Sequence, residues 1–73
     1  MDEKELKDRM LRQSDAFRKL NHEHQQLEKK LERFKAKAFL TEEERLEERL
    51  IKKRKLALKD RMYLMMSELR KTG

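Results

Sequence analysis

Apolar residues recur through the first half of the chain in alternating steps of three and four. Met10, Phe17, Leu20, Leu27, Leu31 and Phe34 fall on one stripe of a helix, with Gln13 and His24 as polar interruptions. The spacing predicts a first helix over about 3–39. It ends where Phe39-Leu40-Thr41-Glu42-Glu43-Glu44 interrupts the pattern. Thr41 and Glu44 sit three apart, as a capping box requires: the threonine hydroxyl accepts from the amide of residue 44, and the carboxylate reaches back to the amide of residue 41. Three glutamates in one first turn also suit the positive end of a helix dipole. A second helix is therefore expected over about 42–70.

That second helix carries two apolar rows. One is Leu46, Leu50, Ala57 and Leu64; the other, about a third of a turn away, is Ile51, Leu58, Met62, Met65 and Leu69. Between them runs a heptad of charge, Glu47, Arg54, Arg61 and Glu68, while Leu56 and Tyr63 lie on the far side. A hairpin partner covers one row and leaves the other vacant. The expected intramolecular seam joins Met10, Phe17, Leu20, His24, Leu27, Leu31 and Phe34 to Leu46, Leu50, Ala57 and Leu64. The vacant face is then Ile51, Leu58, Met62, Met65 and Leu69, with Arg54 and Arg61 beside it, and it is the expected surface for self-association. An antiparallel copy would set Glu47 near Arg61, or Glu68 near Arg54, although each register also opposes one arginine to its own copy.

Composition narrows the fold class to all-α, a single antiparallel hairpin domain over 1–73 that assembles as a four-helix bundle. The chain has no proline, no cysteine and a single glycine, Gly73, so nothing within it obliges a helix to stop. Charged residues make up 49% of it, which would suggest disorder if they were not mostly helix-forming Lys, Arg and Glu in a periodic apolar frame. About ten large seam side chains against some sixty ordered residues leave a lone hairpin marginal, hence the expectation of a dimer or tetramer, or else of docking on another protein. No segment approaches the roughly 20 apolar residues of a membrane span. The first residues have neither the basic start nor the apolar stretch of a signal peptide. The expected location is the cytoplasm.

The net charge of +6 divides evenly between the halves but concentrates locally. Arg49, Lys52, Lys53, Arg54, Lys55, Lys59 and Arg61 face a single acid, Asp60. Lys52 to Lys55 point around most of a helix circumference and form no single stripe, and no aromatic platform accompanies them. Weak, salt-dependent nucleic-acid association through 49–61 is the second functional reading. Asp60 has no base at helical spacing on its own helix, which leaves two readings: a pair with Arg18 or Lys19 of the first helix, or a solvated surface carboxylate.

At Phe17-x-x-Leu20-x-x-x-His24-x-x-Leu27 and Leu31, then at Lys55-Leu56-x-Leu58-Lys59-Asp60-x-Met62-Tyr63-x-Met65, the chain resembles the small bacterial YdcH-like proteins. The resemblance spans residues 17–66. It implies a helical hairpin and no established activity.

Catalytic chemistry finds no support. His22 and His24 are two apart, not the three or four that place two ligands on one helical face, so no metal site is expected. His24 at a seam position is instead a register-fixing polar residue whose desolvation would make it pH-sensitive. Ser14 and Ser67 have no histidine at helical spacing, no glycine loop cradles phosphate, and no cofactor is implied. Met62, Met65 and Met66 read first as core filling and second as an adaptable binding surface. The sequence leads to a non-catalytic structural or protein-interaction module.

Overall fold

In the computed structural model, which describes residues 2–72, the chain forms α1 (Glu3–Gln13), α2 (Asp15–Lys35) and α3 (Glu42–Thr72). The expected first helix is thus two helices. Ser14 separates them with an extended backbone, φ −122° and ψ 115°. Its amide donates to the Met10 carbonyl at 2.9 Å, closing α1. Its Oγ accepts from the Phe17 amide at 3.1 Å, opening α2. One serine therefore ends one helix and caps the next. Arg18 braces the bend: its Nη1 donates to the carbonyls of Leu11 at 2.7 Å and Arg12 at 3.1 Å, while its Nη2 pairs with Asp15.

The bend lets α1 fold back over the open end of the α2–α3 hairpin. Glu3 and Lys7 share a cleft with Asn21 and His24 of α2 and with Lys59 and Tyr63 of α3. Leu6, Met10 and Phe17 pack there against Met62 and Met66. Phe17, at the bend, is completely buried. A second cluster near the closed end joins Leu31, Phe34 and Ile51, with Leu27 and Leu40 packed against it. Leu40 docking on this cluster turns the chain, so α2 stops at Lys35, not near residue 39, and the connection runs over 36–41. At 31 residues and about 1.5 Å per residue, α3 spans the 47 Å long axis of the molecule by itself.

The two rows of α3 take the opposite places from those expected. Ile51, Leu58 and Met62 are buried against the other helices, and Met65 and Leu69 are partly so. Leu46, Leu50 and Leu64 are 57%, 58% and 66% exposed, and Ala57 is exposed with them. Both rows follow a 4-3-4-3-4 spacing, but they differ in what interrupts it. The path 51-55-58-62-65-69 has one polar member, Lys55, whose ammonium reaches Glu28 at 2.9 Å. The path 46-50-53-57-60-64 contains Lys53, Asp60 and the small Ala57. Burying an unpaired charge costs more than an apolar neighbour returns, so the first path takes the core.

Candidate interaction surface

Thr41 and Glu44 set the start of α3. The Glu44 amide donates to Thr41 Oγ1 at 3.1 Å, and the Thr41 amide donates to Glu44 Oε1 at 3.0 Å. Lys37 adds an ion pair to the same carboxylate and, with these bonds, holds Glu44 below the usual carboxylate range. This cap fixes where α3 begins.

A belt of ion pairs borders that face on the α2 side. Arg54 forks Glu23, Nε to Oε2 at 2.6 Å and Nη2 to Oε1 at 3.2 Å. Lys30 pairs with Glu47 one step nearer the loop. The hydrogen bond from Arg54 keeps the Glu23 carboxyl low and, reciprocally, raises the guanidinium. Arg54 is accordingly engaged within its own chain, not waiting at a self-association interface as its position in the charged heptad suggests. Arg61 is exposed beside it and makes no ion pair among the described residues. Asp60 has none either, because Arg18 is turned to the end of α1.

Outside this belt lie Leu46, Leu50, Ala57 and Leu64. Near the open end the face dips into a groove of about 470 Å³ between α2 and α3, lined by Ala16, Leu20, Arg61, Leu64 and Met65 among others. Of the seam positions expected on the first helix, Phe17, Leu31, Phe34 and Met10 are buried, and Leu20, Leu27 and His24 are partly exposed. Leu6, a core residue from α1 absent from the expected seam, lies on the same heptad row as Leu20, Leu27 and Phe34, the signal that points to it. Ser14 as a bend was not part of the expected hairpin.

On the opposite side, the cleft beneath α1 holds about 120 Å³ and contains His24. Desolvation holds the His24 imidazole below its ordinary range; the charges of Lys55, Lys7 and Lys59 act in the same direction, and Glu28 opposes them. No group of three or more His, Cys, Asp or Glu among the described residues is arranged to hold a metal ion. In the loop, Phe39 is 88% exposed and shares a cleft with Phe34 and Leu40.

The basic segment is partly consumed by these contacts. Lys52 reaches Glu48 at 3.5 Å, Arg54 is held by Glu23, and Lys55 by Glu28. Arg49, Lys53, Lys59 and Arg61 remain, distributed around the helix. No described helix is long and apolar enough to cross a membrane.

No curated protein and no solved structure matches the chain. A family profile does, across residues 17–66, so the match takes in all but the first two residues of α2, the loop and α3 as far as Met66, and leaves α1 outside. The chain belongs to the family described as "Protein of unknown function (DUF465)", which includes the YdcH-like proteins.

Proposed function

We propose that the protein is a non-catalytic interaction module that pairs with a second copy of itself through the outer face of α3. The observation that carries this reading is the unburied heptad path 46-50-53-57-60-64, with three exposed leucines and two opposite charges at seam positions. An antiparallel copy related by a two-fold axis near residue 55 sets Leu46 of one chain against Leu64 of the second at both ends. The same register puts Lys53 one helical turn from Asp60 of the second copy, twice. Among the described residues neither side chain forms an ion pair within its own chain. The arrangement is isologous and closed, as most homodimers are. Paired polar residues at seam positions set register more than they add affinity.

In this proposal the second copy meets a different face from the Ile51 row, which supports the hairpin internally. Nucleic-acid association is the weaker reading, because three of the seven bases in 49–61 are bound to acids of the same chain.

A charge-swap series tests the register by sedimentation equilibrium. Lys53→Glu places like charges beside Asp60 and weakens the dimer, by about 0.5–1 kcal/mol per contact if the pairs remain partly solvated. Lys53→Glu with Asp60→Lys restores it. Restoration in the double variant supports the antiparallel face; two additive losses count against it.

A further inference from the structure

The bend at Ser14 does not interrupt the apolar pattern. Leu6, Met10, Gln13, Phe17 and Leu20 keep the 4-3-4-3 spacing straight through it. A helix running unbroken over 3–35 is therefore as consistent with the apolar stripe as the bent pair observed. What distinguishes the two states is local. The bent form has the Ser14 cap and the Arg18 bonds to the Leu11 and Arg12 carbonyls. In a straight helix those carbonyls accept from amides four residues on, and neither device is needed.

We infer that α1 is an exchangeable segment: the groove it fills at the open end of its own hairpin is a docking site for α1 of a second copy. The occupant is specified by what lies there now. Leu6 and Met10 sit against Phe17, Met62 and Met66, and an identical α1 from another chain offers the same side chains to the same groove. The symmetry is consistent with it. In the bent chain Lys7 shares a cleft with Asn21, so the exchanged helices run antiparallel with their two-fold axis midway between those residues, at Ser14. Two straight helices of about 50 Å then lie side by side, each ending in the partner's hairpin. This contact is separate from the outer face of α3 and does not depend on it.

Substitution at the bend tests the exchange in a Leu64→Glu background, where association through the outer face is suppressed. Ser14→Ala removes the cap and favours continuous helix, an effect of about tenfold on each chain's opening. Exchange opens two chains, so dimerisation strengthens about a hundredfold. Ser14→Asn, an equally good cap, behaves as the parent does. Arg18→Gln, which spares the cap, shifts association in the same direction as Ser14→Ala.

Isotopic labelling identifies the contact. Dimers of Ser14→Ala assembled from equal parts of light and ¹⁵N-labelled chains are treated with a short amine cross-linker, which joins Lys7 to Lys59 across the cleft. Linked peptide pairs with one light and one heavy member are the expected result. A dimer with only same-isotope Lys7–Lys59 links keeps α1 at home and overturns the inference. So does a Ser14→Ala chain that associates no more strongly than Ser14→Asn.

Discussion

His24 shows how a single polar residue in a small core ties stability to pH. Its imidazole is held below the ordinary range, first by desolvation, with Lys7, Lys55 and Lys59 adding to the effect and Glu28 opposing it. The unfolded chain therefore binds more protons there than the folded one. Stability from this group is complete above the unfolded value of about 6.5 and is lost as pH falls through it toward the lower folded value. Urea melts at pH 7.5 and 5.5 should give a lower midpoint at 5.5, and His24→Leu should reduce that difference. An unchanged difference in the variant would place the pH response elsewhere. Thr41 makes the simpler case. Its hydroxyl satisfies one amide at the start of α3, and Thr41→Ala should cost about 1 kcal/mol in a thermal or urea melt. This cap was legible because a capping box is a local rule: residue type at two positions three apart decides it.

Helices α1 and α2 mark where local rules fail. Ser14 caps α2, but the residue three on is Phe17, which completes no capping box, and the apolar stripe passes through without a change of phase. The bend is selected jointly by the Ser14 cap, the Arg18 bonds and the tertiary gain of laying Leu6 and Met10 over Met62 and Met66, and the last of these is not a local signal. A stripe of that kind predicts which side chains are apolar neighbours, not whether they meet in a straight or folded-back helix. The choice between the rows of α3 was closer to the surface of the sequence. Counting interruptions, one lysine along the Ile51 path against Lys53, Asp60 and a small Ala57 along the Leu46 path, favours the arrangement found. Two truncations separate the rows experimentally. Leu58→Ala, at a residue 2% exposed, should cost 2–5 kcal/mol of folding stability, a range of order-of-magnitude precision. Leu64→Ala should change monomer stability by no more than about 0.5 kcal/mol. Equal losses from both, measured in dilute protein, would contradict the assignment of inner and outer rows.

At the scale of the molecule, three helices divide the labour. The α2–α3 hairpin supplies the unit that the family shares, with Leu31, Phe34 and Ile51 closing one end. α1, outside the matched residues, closes the other by covering Met62 and Met66. Both ends are thereby satisfied within one chain, and the ion pairs Arg54–Glu23 and Lys30–Glu47 seal one border between α2 and α3. The leucines at 46, 50 and 64 are then exposed along one face of α3, with Leu56 and Tyr63 exposed on a different side of the same helix. The most direct measurement is molar mass by light scattering after size exclusion, near 0.15 M salt, across a range of protein concentrations. The wild-type chain should run as a dimer that dissociates on dilution, and Leu50→Glu with Leu64→Glu should be a folded monomer at concentrations where the wild type is dimeric. A wild-type chain that stays monomeric at every concentration, or a double variant that dimerises like wild type, would contradict pairing through the outer face of α3.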